Sequence, residues 1–302
     1  MNAFTRATDA LTSVLPFRSG NKQHGAKPGT ATAPARVPRI SDLAIVDPRA
    51  IIADDVEIGP FCIVGPDVTL GAGNKLISHV VITGQTTIGR DNEFHPHCVM
   101  GGPPQDLKYN GELTRLEIGD DNVFREASTV NIGTAKGGGV TRVGSGNLFM
   151  INAHVGHDAQ IGSRCVLSNN VMIAGHVVCG DNVVFAGGAG VHHFVTIGDF
   201  AFLAGYCRIH HDVPPFVKVA DDDNVRGVNV VGLRRGGFSD SDIEALESAT
   251  RRLFYGRDRA FSRALAEFDT LNGINPHVKR LIEFLRRRDL GRHGRYLEGL
   301  RK

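Results

Sequence analysis

The chain has 302 residues, room for one large domain or two modest ones, and a formal net charge of only +2. That balance argues against a dedicated nucleic-acid binder, and no apolar run approaches the roughly 18 to 20 residues of a membrane span. Its five cysteines, Cys62, Cys98, Cys165, Cys179 and Cys207, are odd in number and form no CxxC pair, which predicts a reducing compartment without a disulfide framework.

The first 40 residues are rich in Ala, Thr, Pro and Gly, with six basic residues against the single acid Asp9. This composition predicts a disordered tail. Phe4, Leu11, Val14 and Leu15 on one face of a short Arg-flanked helix would make it an organelle-targeting segment instead. From Val46 an aliphatic or aromatic residue then recurs at every sixth position, through Ile52, Ile58 and Val64 to Met100. The pattern breaks at 101–114, resumes at Ile118, Phe124 and Val130, breaks again at 134–141, and runs unbroken from Val143 to Ile209. A period of six fits neither a helix nor a simple alternating strand. It is the mark of a β-helix whose short strands each point one side chain into a narrow prism, and the two breaks predict loops leaving that scaffold. Pro214 and Pro215 end the array, and 216–238 reads as a connecting segment.

Beyond it the periodicity turns helical. Ser239 with Asp242 makes a capping box for a helix carrying Ile243, Leu246, Ala249 and Leu253, with Gly256 at its end. Further helices are predicted over 261–271 and 276–288, followed by a basic tail.

Three hexads make one coil of 18 residues, so positions 18 apart lie one strand spacing away, roughly 4.8 Å. By that arithmetic His157 stacks under Gly175 and then His193, and Asp158 stacks under His176. With His154 and His192 they form one patch. A single histidine on such a scaffold is ordinarily a surface polar residue, but five together call for chemistry. A zinc site of the hexapeptide carbonic anhydrase kind would place its third histidine at Gly198, so no metal is expected. General-base catalysis remains: imidazole takes a proton near neutral pH, Asp158 orients it, and a glycine lets a substrate oxyanion reach backbone N–H. The pattern points to acyl transfer.

The stretches QDLKYNGELTR, NAHVGHD, LSNNVMIAGH, GVHHF and GVNVVGLRRGGF, in that order, resemble the UDP-N-acetylglucosamine O-acyltransferases of lipid A biosynthesis over about residues 41 to 300. The resemblance implies a mainly β protein: a left-handed parallel β-helix over 41–215, then a connecting segment and a small C-terminal α-helical domain over 216–302. It implies a cytoplasmic homotrimer that needs no cofactor and moves a 3-hydroxyacyl chain from acyl carrier protein to the 3-hydroxyl of UDP-N-acetylglucosamine. By the same likeness His157 is the general base, Asp158 its partner and Gly175 the oxyanion donor. His154, His176, His192 and His193 line the site, and Gln105, Asp106 and Lys108 contact substrate. Asn229 and Arg235 hold the nucleotide. Gly205 leaves the acyl groove open, unless Phe202 or Tyr206 closes it. Arg251, Arg252, Arg257, Arg259 and Arg263 form a basic face for the acidic carrier.

The sequence departs from the family pattern at Asn131 and Ile132, where His and Arg are usual, at His193 for Gln, and at Val231 for an acidic residue. These departures leave two alternatives beside the O-acyltransferase: an N-acyltransferase acting on an amino-sugar nucleotide, and a non-catalytic β-helix scaffold.

Overall fold

The computed structural model describes residues 38–255, 261–271 and 273–301. The readings placed on residues 1–37, and on Gly256, Arg257 and Arg259, lie outside these.

The hexad residues build the core. Leu70, Leu76, Ile82, Ile88, Phe94, Met100 and their successors through Ile209 are almost completely buried. Each such side chain contributes about 1.5–3 kcal/mol by leaving water. The chain winds into three sheets of eleven, nine and eight short strands, all paired in parallel except the last strand of the first sheet. In the uninterrupted half the register is the predicted one: Leu167 lies beside Phe185, and Phe185 beside Leu203. The loops shift the sequence numbers without shifting the ladder, so Leu116 pairs Thr86 on one side and Thr141 on the other. Phe94, Phe124 and Phe149 stack up the prism at 4.9 and 4.6 Å between ring centroids.

Two devices hold the corners. One is a buried asparagine ladder. The Asn74 Oδ1 accepts from the Asn92 backbone and side chain, Asn92 serves Asn122 likewise, and Asn122 serves Asn147. The other is left-handed backbone at turn residues, among them Asp158 (φ 61°), His176 (φ 62°) and Phe194 (φ 65°), which follow one another up a single corner. Asp and His tolerate that conformation better than most residues; Phe is the less usual occupant. All five cysteines are buried and free.

The stretch 216–238, expected as a connector, is itself structured. Val217–Ala220 adds a parallel strand beside Phe202–Leu203 and turns back into the antiparallel strand Asn224–Val228. A short helix, Val230–Arg235, follows. The helix Asp240–Phe254 opens on the expected cap, with the Asp242 N–H donating to Ser239 Oγ at 3.2 Å. Pro276–Asp289 packs Val278, Leu281, Ile282 and Leu285 against Ile243, Leu246 and Leu253 in a second core. No helix among the described residues is long and apolar enough to cross a membrane.

Candidate active site

The site grows from the corner that follows the strand His154–Val155. Asp158 sits at that corner with its side chain fully buried, and His157 beside it is 15 % exposed. The carboxylate is held from three directions. Thr134 donates from its backbone N–H to Oδ1 at 2.8 Å and from its hydroxyl to Oδ2 at 2.6 Å. His157 Nδ1 lies 2.8 Å from the same Oδ2. The Asp158 N–H donates in turn to Thr141 Oγ1 at 2.7 Å. Thr134 and Thr141 bracket the second loop, so both of its ends are tied to Asp158. Gly137 in it lies so close that a Cβ there would stand 2.1 Å from the Asp158 Cγ.

Burial alone would raise the Asp158 carboxyl, but the hydrogen bonds from His157 and Thr134, with His176 nearby, hold it below its ordinary value. An ionised carboxylate only accepts, so His157 Nδ1 carries the proton between them, the tautomer in which a neutral ring has its lone pair on Nε2. Nε2 faces the next coil, where Gly175 lies against the ring: a Cβ at Gly175 would stand 2.7 Å from Cε1 and 2.8 Å from Nε2. The 18-residue arithmetic therefore holds for His157 and Gly175.

The other histidines adjoin this pair. His176 meets His157 edge-on at 5.0 Å, with its Nε2 3.8 Å from Asp158 Oδ2, and stacks face to face on Phe194 at 4.4 Å. Burial, opposed by Asp158, depresses the His176 pKa; burial also depresses His154 and His193, aided by His157 and His192 respectively. His154 Nδ1 bonds Thr129 Oγ1 at 2.8 Å, and His192 Nδ1 approaches the His193 carbonyl at 3.1 Å. His157, Asp158 and His176 offer three ligand atoms within 4.8 Å of one another. A cation there would displace the protons that already join His157 and Thr134 to Asp158, so the residues present fit a proton relay better than a metal centre.

The remaining expected residues lie apart from this cluster. Gln105 and Lys108 are exposed on the first loop, where the Asp106 carboxylate accepts from the Lys108 N–H at 3.0 Å. Asn229 is committed inside the chain: its Oδ1 accepts from the Gly232 N–H at 3.2 Å and its Nδ2 donates to the Phe200 carbonyl at 2.9 Å. That caps the helix whose last turn holds Arg235. Asn131, one of the departures, is buried with an unpaired Oδ1 beside the root of the first loop. Sequence reasoning missed Thr134, Thr141 and Phe194. The only signal was the break of the hexad at 134–141.

The chain is a parallel β-helix of six-residue repeats with a buried aspartate–histidine pair against a glycine on one edge, and residues 141–175 match the bacterial transferase hexapeptide family. Residues 212–293 match the second domain of UDP-N-acetylglucosamine O-acyltransferase. Among solved structures, the chain is 41 % identical to UDP-N-acetylglucosamine O-acyltransferase (LpxA) from Moraxella catarrhalis, over 81 % of this chain and 95 % of that one (TM-score 0.77). It is 40 % identical to LpxA from Acinetobacter baumannii, over 82 % and 96 % (TM-score 0.77). It is 37 % identical to LpxA of Bacteroides fragilis, a UDP-N-acetylglucosamine acyltransferase, over 82 % and 96 % (TM-score 0.78). The chain belongs to the UDP-N-acetylglucosamine O-acyltransferase family. It is an acyltransferase on a left-handed β-helix, not an inert scaffold.

Proposed function

We propose that the chain transfers a 3-hydroxyacyl group from an acyl carrier protein thioester to the 3-hydroxyl of UDP-N-acetylglucosamine, the first step of lipid A biosynthesis, in the cytoplasm. The observation that carries this reading is the Thr134–Asp158–His157 relay with Gly175 against the imidazole. His157 Nε2 takes the proton as the sugar oxygen attacks the thioester carbonyl carbon. Asp158 stabilises the imidazolium that forms. Backbone N–H at Gly175 receives the oxyanion, because no side chain keeps the substrate away. Collapse breaks the C–S bond, and the imidazolium returns its proton to the leaving sulfur, giving an ester and a free carrier thiol.

A homotrimer suits this reading. The first loop carries Gln105, Asp106 and Lys108 into solvent, and Leu107 and Leu113 are fully or almost fully exposed there. A neighbouring prism would cover those leucines and bring the three polar side chains to the histidine edge. The exposed Arg251 and Arg252 suit an acidic carrier protein.

The test is His157→Ala assayed with UDP-N-acetylglucosamine and a 3-hydroxyacyl carrier. Turnover should fall by roughly 10²-fold or more. A folded variant with near-normal turnover defeats the assignment.

A further inference from the structure

The C-terminal arm reaches the catalytic corner from outside. Beyond residue 293, where the matched domain ends, the chain turns back against the β-helix. Tyr296 donates its N–H to Asp212 Oδ2 at 2.8 Å, the Asp212 N–H donates to the Gly294 carbonyl at 2.8 Å, and Arg295 Nη1 donates to the His210 carbonyl at 2.8 Å. Arg295 and Glu298, only 11 % and 13 % exposed, pair within the arm, and Glu298 also pairs Arg301 at 3.4 Å. These contacts deliver the Arg301 guanidinium over the Phe194 ring, 5.1 Å from its centroid.

Phe194 has two occupied sides. Its ring stacks on His176 at an interplanar angle of 6°, and His176 meets His157 at 90°. Arg301, Phe194, His176 and His157 thus form one column of planar groups ending at the base. The Phe194 ring is half-buried, and besides His176 it meets His193 edge-on at 6.0 Å. A cation on its outer face restrains it.

We propose that Arg301 is a positioning residue for acyl transfer: by clamping Phe194 onto His176 it fixes the plane of the His157 imidazole. The proposal rests on the assignment of His157 as the base. It makes the arm part of the catalytic machinery rather than a tail. Small displacements of reacting groups are costly in rate, while substrate affinity is set elsewhere, so the effect belongs in kcat.

Arg301→Ala should lower kcat roughly three- to ten-fold and leave both KM values unchanged. Arg301→Lys should keep most of the activity, because an ammonium also rests on an aromatic face. Phe194→Leu should lose as much as Arg301→Ala, and the double variant no more than the larger single loss, since the two act as one unit. Arg301 is 53 % exposed on its side chain, so its own variants should fold like the parent. Wild-type kcat in Arg301→Ala overturns the proposal. So does a raised KM for the sugar nucleotide or the carrier at unchanged kcat, which would make Arg301 a contact for a substrate phosphate. His157→Ala serves as the control: if it is inactive while the Arg301 variants behave as wild type, only the clamp fails. If His157→Ala keeps its turnover, the site reading falls first.

Discussion

Gly175 and His157 touch across adjacent coils, so closely that the glycine's missing Cβ would stand 2.7 Å from the imidazole Cε1. The contact gives a clean separation of fold from chemistry. The Gly175 backbone is not in the left-handed region, so alanine meets no backbone strain there. The atoms it would strike belong to the end of a side chain, which can swing away. We expect Gly175→Ala to fold with a stability loss no larger than the about 1–3 kcal/mol of a disturbed His157–Asp158 bond, and to lose activity by roughly 10²-fold or more, because the added methyl displaces the base and crowds the oxyanion. Steady-state kinetics beside thermal denaturation check this. A variant with full turnover would remove Gly175 from the site.

The relay behind His157 makes a second prediction. Asp158→Asn leaves a carboxamide that can no longer accept from His157 and from both Thr134 donors at once. Turnover should fall by roughly 10²-fold, and stability by about 1–3 kcal/mol, because a buried donor goes unpaired. Thr134→Val removes the 2.6 Å hydroxyl bond to Asp158 and the 3.1 Å bond that the same hydroxyl accepts from the Gly137 N–H, and keeps the backbone bond to Asp158. It should cost stability on the same scale but less activity, since His157 keeps its carboxylate. Urea denaturation and kcat on both variants decide it; equal kcat losses would mean that Thr134 does more than hold the loop.

That relay also marks where the sequence stops being legible. The prism could be read residue by residue, because every hexad position from Leu70 to Ile209 is buried as expected. So could His157 over Gly175, which lie in the uninterrupted half where 18-residue arithmetic works. Thr134 and Thr141 could not. They flank an insertion, and their separations from Asp158, 24 and 17 residues, obey no repeat. The hairpin at 217–228 was hidden for a related reason: it follows the two prolines and no longer carries the hexad. Phe194 and Arg301 meet only because residues 294–301 fold back, which no local pattern announces.

Acid should weaken the fold near neutral pH. Burial depresses His154, His176 and His193 from the ordinary 6.5, so the folded state favours their neutral forms more than the unfolded chain does. The unfolded chain binds these protons first as pH falls. The contribution is therefore complete above 6.5 and is lost as pH drops through the lower folded values. Asp158, also depressed, adds its loss below its ordinary 3.8. Calorimetry from pH 8 to pH 5 should show Tm falling, and His154→Gln should flatten the slope by removing one titrating ring. A Tm that does not change over this range contradicts the neutral assignment.

The last prediction concerns the acyl chain. We propose that Gly205 leaves the end of the acyl groove open, so that a long 3-hydroxyacyl donor is preferred. The surroundings suit this. A Cβ at Gly205 would meet only the Gly187 carbonyl oxygen, at 3.4 Å. Phe202 is 5 % exposed and packed with Ala186, Ala204 and Ala220, away from solvent. Tyr206 is 85 % exposed, with its ring lying against Gly188. Each further buried methylene is worth about 0.8 kcal/mol, too little for strict discrimination by attraction, so selection must come from exclusion. Gly205→Met adds a flexible thioether in open space and should shift the optimum to a donor several carbons shorter, with turnover of that donor close to the parent's. A series of hydroxyacyl carriers of graded length measures both. If the parent prefers the shortest donor, or the optimum stays where it was in the variant, chain length is measured at another residue.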